Sequence, residues 1–228
     1  MLNNKRISVL IPAFNEEKSI AQVISELPQG IVDEIVVIDN ASTDATQEIA
    51  LRNGAKVVKE LHRGYGAACL KGLESIDNTD IVVIIDGDYS DYPEQITRLV
   101  EPIVSGNADF VIGSRVLGRR EAGALTPQQY LGNKLAVFLI HRLFGYKFTD
   151  MGPFRAIRYE SLKKLNMNDK DFGWNAEMQI KAVNSGLNIR EAPVDYRKRI
   201  GASKISGTIS GAIKAGTKII FTIFKYAV

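Results

Sequence analysis

The run Ile81-Val82-Val83-Ile84-Ile85 ends in Asp86-Gly87-Asp88, two carboxylates separated by one glycine. Five consecutive apolar residues predict a strand buried on both faces. Charged groups at the C-terminal end of such a strand stand where open α/β sheets bind ligands. Two hard oxygen ligands on one tight turn can share a divalent cation that also grips phosphates. A metal and diphosphate site is therefore the first chemistry expected of Asp86 and Asp88. A bare Asp-x-Asp is more often plain turn chemistry, and the rest of the chain changes that balance.

Two further strand ends carry polar residues in the same relative place: Pro12-Ala13-Phe14-Asn15-Glu16 and Asp39-Asn40-Ala41-Ser42-Thr43-Asp44. Parallel strands would bring all three ends to one edge of a sheet and into one pocket. There Pro12 fixes the backbone and Phe14 offers an apolar face, while Glu16 and Asp39 can accept hydrogen bonds from a base edge or ribose hydroxyls. Each of these residues also has a reading as turn or cap chemistry. Their conjunction points to a ligand.

The elements that must position these groups follow from an alternation of short β-branched runs with helical patterns. Strands are expected at Ile7 to Ile11, Glu34 to Ile38, Ala55 to Lys59, Ile81 to Ile85 and Phe110 to Ile112. Helices are expected near 17–27, 44–53, 65–76 and 93–105. The pattern predicts crossover βαβ units and a mostly parallel central sheet flanked by helices. Asp44 marks a helix start and Gly54 a helix stop. Beyond residue 113 the alternation lapses. The stretch 114–133 reads as a long functional or poorly ordered loop, followed by a helix near 128–144, an irregular segment 145–156, and helices near 159–165 and 174–186.

The length of 228 residues suits one large α/β domain, and a net charge of +3 is mildly basic. That charge does not require nucleic acid, and none is expected as a partner; it is compatible with anionic substrates or an anionic membrane surface. Cys69 is the only cysteine, which permits a reducing cytoplasm. No stretch reaches the roughly eighteen uncharged residues of a spanning helix. His62 and His141 read as structural, since two lone histidines make no zinc site.

Several motifs together resemble family 2 glycosyltransferases of the GT-A fold: Val9 to Glu17, Val36 to Asp44, Gly64-Tyr65-Gly66-Ala67-Ala68 with Gly72, Asp86-Gly87-Asp88, and Gly113-Ser114-Arg115. The resemblance implies a nucleotide-sugar donor held by Pro12, Phe14, Asn15, Glu16, Asp39, Asn40, Gly66, Asp86 and Gly87. It implies Mg2+ or Mn2+ on Asp86 and Asp88, with Asp88 the main ligand. Asn40 stands where this family often has a second Asp; it keeps an acceptor and adds donors.

In the second half, Asp150 to Arg155, Gly173 to Met178 and Arg199 to Lys204 are similar to acceptor-side motifs of polyprenyl-phosphate (dolichol-phosphate-type) sugar transferases. Ser90 departs from the Gln common there in mannose synthases. The resemblance implies acceptor-phosphate contacts from Arg155, Arg199, Ser203 and Lys204 and catalytic roles for Asp88, Arg115 and Glu177. It divides the chain into a catalytic domain, 1–204, with a nucleotide-sugar half, 1–113, and an acceptor half, 114–204, followed by a C-terminal amphipathic segment, 205–228. Chemistry agrees: a phosphate monoester, with a second pKa near 6, is a ready nucleophile needing cations, whereas a hydroxyl needs a general base. Glu177 reads equally as that base or as an orienter of arginines.

Apolar residues mixed with Lys204, Lys214, Lys218 and Lys225 at the C-terminus suit a membrane interface or a core-packing helix. The expectation is thus an inverting, metal-dependent transferase that moves a sugar, from UDP in preference to GDP, to a polyprenyl phosphate or other lipid acceptor. Its expected place is peripheral, at the cytoplasmic face of a membrane. Transfer to a sugar or lipid hydroxyl, with Glu177 as base, is the enzyme alternative. A catalytically silent nucleotide-binding scaffold is the alternative of another class. Oligomeric state is not legible.

Overall fold

The computed structural model describes residues 2–201 and 209–227. Seven strands form one sheet: β1 (Ile7–Ala13), β2 (Glu34–Asp39), β3 (Lys56–Lys59), β4 (Ile81–Ile84), β5 (Phe110–Ser114), β6 (Arg155–Arg158) and β7 (Ile189–Pro193). Their spatial order is β3-β2-β1-β4-β6-β5-β7. All five strands expected from sequence are present. The two missed, β6 and β7, come from the second half and join the same sheet. Residues 2–113 and 114–201 are therefore two parts of one layer; the boundary at 204 lies outside the described residues.

Strand β6 is antiparallel to both β4 and β5, whereas the remaining pairs are parallel. Two reversals cancel, so β5 runs the same way as β4. Ser114 at the end of β5 thus reaches the edge carrying Ala13, Asp39 and Asp86. Arg155, which opens β6, lies in register with Ile84 and Ile112 and falls on that same edge.

Helices cover both faces because the buried strands are apolar on both. Leu10 and Ile38 point to one side, where they pack with Ala68 of α3 (Tyr65–Glu74), Ile140 of α5 (Pro127–Phe144) and Trp174 of α7 (Trp174–Asn184). Val9, Ile11 and Val83 point to the other, against α1 (Ile20–Ser25), α2 (Thr46–Arg52) and α4 (Ile96–Val104). The short α6 (Tyr159–Leu165) follows β6, and α8 (Ile209–Lys225) closes the chain.

Local signals account for the boundaries. Asp44 Oδ1 accepts the Thr46 N–H at 3.0 Å, giving α2 its start, and Gly54 ends it at φ +83°, a left-handed conformation that glycine adopts without strain. Helix α5 begins at 127, one residue from the start expected for it and within the tail of the stretch 114–133, because Thr126 and Gln129 form a reciprocal capping box and Pro127 fills the first turn. The remaining loop is held in place: Arg119 N–H donates to Asp195 at 2.9 Å, and Glu121 N–H donates to the Tyr196 carbonyl at 2.9 Å. No helix among the described residues is long and apolar enough to cross a membrane.

Candidate active site

A cavity of about 380 Å³ opens at the edge where β1, β2 and β4 end. Pro12, Phe14, Glu16, Asp86, Gly87 and Asp88 line it, as the sequence led us to expect. Asn40 lines it too, but its amide is spent. Its Nδ2 donates to the carbonyls of His62 at 2.7 Å and Glu60 at 3.2 Å, and its Oδ1 accepts the Gly64 N–H at 2.8 Å. Asn40 therefore shapes the 60–64 loop and leaves no group to read a base. The product of that shape is Arg63, whose guanidinium stacks 4.3 Å from the centroid of the Phe14 ring.

Asp86 and Asp88 differ in their surroundings. Asp88 Oδ1 accepts the Ser90 N–H at 2.9 Å and hydroxyl at 2.5 Å, and its Oδ2 pairs with Arg199 at 2.9 Å. Oδ1 of Asp86 is buried without a hydrogen-bond partner. Burial, and then the charge of Asp88, push the Asp86 carboxyl up to about 7. A divalent cation would relieve both the unpaired oxygen and the like-charge repulsion. Among the described residues no three His, Cys, Asp or Glu side chains cluster to hold a metal unaided. The two aspartates thus fit a cation that would take its remaining ligands from phosphate oxygens and water.

Arg199 reaches the aspartates because its segment runs alongside them. Arg197 N–H donates to the Ser90 carbonyl at 2.9 Å, and Ile200 N–H to that of Asp88 at 3.0 Å. The Arg197 guanidinium lies 3.3 Å from the Tyr89 ring centroid and 4.3 Å from that of Tyr92, and pairs with Glu26 at 2.8 Å. From this anchored strap Arg199 also approaches Glu16 at 3.5 Å. Beneath the aspartates sits Asp91, 1% exposed and with neither carboxylate oxygen hydrogen-bonded. Burial, together with Asp86 and Asp88, pushes it well above the usual carboxylate range. Sequence reasoning passed over Asp91; its signal was a third Asp in Asp86-x-Asp88-x-x-Asp91.

Several expected site residues have other work. Asp39 accepts the Ser42 N–H at 3.2 Å and lies outside the cavity lining. Asn15 Oδ1 accepts the Thr43 N–H at 2.8 Å, joining the first two strand-end loops. Gly66 was expected to cradle the donor, but a Cβ there would stand 2.0 Å from the Asp169 carbonyl oxygen. It is glycine so that the 166–173 loop can close on α3, where Ala67 N–H donates to the Lys170 carbonyl at 2.9 Å. That loop contributes Asp171 and Phe172 to the cavity wall, a contribution the sequence reading did not foresee.

Arg115, expected to be catalytic, forms a two-pronged pair with Asp150 (Nε to Oδ2 2.8 Å, Nη2 to Oδ1 2.7 Å) and does not line the cavity. Arg155, expected to hold an acceptor phosphate, is fully buried and bonds to the Gly152 carbonyl. Burial lowers its guanidinium to about 10, and Tyr65, Cys69, Asp150 and Asp86 lie among the groups that support its charge. It is a buried counter-charge behind Asp86. Glu177 is likewise fully buried and accepts from the Asn168 and Asp169 N–H groups, Lys181 and the Tyr226 hydroxyl. Burial tends to raise its carboxyl, but Lys181, Tyr226 and the Asp169 N–H outweigh it, so the net shift is downward. This environment suits a structural acceptor and opposes a general base. Ser203 and Lys204 lie outside the described residues.

The family model for glycosyl transferase family 2 matches residues 8–165. The UDP-N-acetylglucosamine–dolichyl-phosphate N-acetylglucosaminyltransferase of Methanococcus voltae is 30% identical over 214 residues, 84% of this chain and 85% of that protein. The undecaprenyl-phosphate mannosyltransferase of Micrococcus luteus is 31% identical over 222 residues, 90% of each. Among solved structures, glucosyl-3-phosphoglycerate synthase of Mycobacterium tuberculosis, crystallised with Mn2+, UDP-glucose and phosphoglyceric acid, superposes with a TM-score of 0.79 at 24% identity, over 98% of this chain and 80% of that one. The converging strand ends, the Asp86-x-Asp88 turn and the extent of these matches lead to one assignment: the chain is a glycosyltransferase and belongs to glycosyl transferase family 2.

Proposed function

We propose that the enzyme transfers a sugar, with inversion, from a UDP-sugar to the phosphate of a polyprenyl phosphate, using Mg2+ or Mn2+. One observation carries this reading. Glu177, the carboxylate that a hydroxyl acceptor would need as base, is buried and fully engaged. A phosphate acceptor is already anionic and needs no such base. The polyprenyl-phosphate substrates named for the Methanococcus and Micrococcus relatives support the same choice, and the UDP-glucose bound by the mycobacterial neighbour supports uridine.

In this mechanism the stacked Phe14 and Arg63 form one wall for the base, and Asp86 and Asp88 would hold the cation that screens the diphosphate. When bound, the cation neutralises charge growing on the leaving group. Arg199 moves between Asp88 and the phosphates, and the acceptor phosphate approaches the anomeric carbon from the opposite face. Residues 114–204 supply the acceptor side, with Ser203 and Lys204 as phosphate contacts. Leu131, Leu135 and Phe138 on α5 and Ile213, Phe221 and Phe224 on the neighbouring α8 are exposed among basic residues. That face supports peripheral docking on a lipid surface at the cytoplasmic side of a membrane.

Radiolabelled nucleotide sugars offered with polyprenyl phosphate, and in parallel with the free polyprenol, test the proposal. Lipid-extractable product is expected with the phosphate only, and Glu177→Gln should retain it in whatever fraction folds. Transfer to the alcohol, with loss in folded Glu177→Gln, would establish the hydroxyl reaction instead. Absence of product with every donor would favour a silent nucleotide-binding scaffold.

A further inference from the structure

Three cationic side chains line the cavity among the described residues: Arg63, Arg199 and Lys214. Arg63 lies over the Phe14 ring, and Arg199 is paired with Asp88 and Glu16. Lys214 has neither a hydrogen bond nor an ion pair among the described residues, although the cavity contains four carboxylates, Glu16, Asp86, Asp88 and Asp171. Its position is fixed all the same. It lies one turn before Lys218 on α8, and residues four apart share a helix face. Lys218 pairs with Asp169 at 3.0 Å, and further along Tyr226 donates to Glu177 at 2.6 Å. Thr222 and Ile223 are buried between these two ties. The helix is thus clamped to the 166–173 loop and to α7, with Lys214 projecting from the clamped face at the cavity wall.

The charges explain what an unspent lysine does there. A divalent cation held by Asp86 and Asp88 would be offset in charge by those two carboxylates, so the net negative charge of the ligand's phosphates would still call for cationic side chains. Arg199 supplies one cation. We propose that Lys214 supplies another: it is a phosphate-binding residue of the cavity, carried to the site by the C-terminal helix. The ligand chemistry is a phosphate oxyanion, from either the donor diphosphate or the acceptor phosphate. This deepens the reading of the site as a glycosyl-transfer centre and rests on it. It also gives α8 a part in substrate binding besides covering the core.

The test uses the full chain and the variants Lys214→Gln, Lys214→Arg and Lys225→Ala, the last altering the same helix outside the cavity lining. Calorimetric titration with inorganic pyrophosphate and with UDP, both with Mg2+, reads the donor side. The KM for polyprenyl phosphate reads the acceptor side. Lys214→Gln should weaken one of these by about five- to tenfold, an exposed charge-assisted contact being worth less than a buried one. Lys214→Arg should recover most of the loss, and Lys225→Ala should stay within about twofold of the parent in the pyrophosphate and UDP titrations. A loss confined to pyrophosphate and UDP assigns Lys214 to the diphosphate; a loss confined to KM assigns it to the acceptor. Pyrophosphate, UDP and KM all unchanged in Lys214→Gln would overturn the proposal. If no lipid acceptor is used at all, the function proposed above fails and the pyrophosphate titration decides alone: weakening in Lys214→Gln supports the role of Lys214, and no change overturns it.

Discussion

Asp86 and Asp88 share a turn but not an environment, and that difference sets what each substitution should do. Asp88 is held by Ser90 and Arg199, whereas Asp86 keeps a buried oxygen unpaired. Asp88→Ala should remove a cation ligand and release Arg199, lowering turnover by two or more orders of magnitude, since charge stabilisation at a leaving phosphate is worth roughly 3–4 kcal/mol. Turnover near the parent value in Asp88→Ala, or undiminished activity of the parent with excess chelator, would refute the role given to Asp88. The sequence displayed these two residues because the apolar run ahead of them fixes where they stand. It could not show that Asn40 spends its amide on the 60–64 loop, or that Gly66 is small to admit a carbonyl from residue 169. Both depend on which segments meet in space. Lys214 read only as one of four C-terminal lysines suited to a membrane interface for the same reason: spacing along a helix does not say what the helix faces.

At the scale of elements, five strands and most helices were legible from β-branched runs and caps, whereas β6 and β7 were not. Arg155-Ala156-Ile157-Arg158 is only four residues long and begins and ends in arginine, so it carries no apolar run. Its arginines are buried or paired only because β4 and β5 flank it, and β7 alternates too weakly to register. The join between these elements rests on the Arg115–Asp150 pair, which ties the end of β5 to the segment entering β6. Burial tends to raise the Asp150 carboxyl, but the Arg115 guanidinium and two N–H bonds outweigh it and hold it below its usual value. A lowered folded-state pKa contributes stability that is complete above the unfolded value, about 3.9, and is lost as pH falls through the folded one. Denaturant midpoints should therefore drop below about pH 4, and Asp150→Asn should flatten that drop while costing about 3–5 kcal/mol at pH 7 through the stranded arginine. An unchanged acid profile in Asp150→Asn would show that other carboxylates govern the transition.

Over the whole molecule, α8 was open to two readings, a core helix or a lipid-facing one, and it combines features of both. Thr222 and Ile223 are buried and Tyr226 is tied to Glu177, while Ile213, Phe221 and Phe224 are exposed, as are Leu131, Leu135 and Phe138 of α5, the helix that packs on α8. Deleting the helix would strip the core and the cavity wall together, so point substitutions are the cleaner probe. Replacing Phe138, Phe221 and Phe224 together by Ser leaves the buried side intact and removes exposed apolar area. If the face docks on lipid, the triple variant should be released from vesicles containing anionic phospholipid, and salt should weaken binding of the parent chain by screening its lysines. Activity on a long-chain polyprenyl phosphate should fall more than on a short, water-soluble analogue, because interfacial binding concentrates the enzyme where the long acceptor resides. A parent chain that stays in the supernatant at low salt would rule out the lipid surface and leave the face for a protein partner.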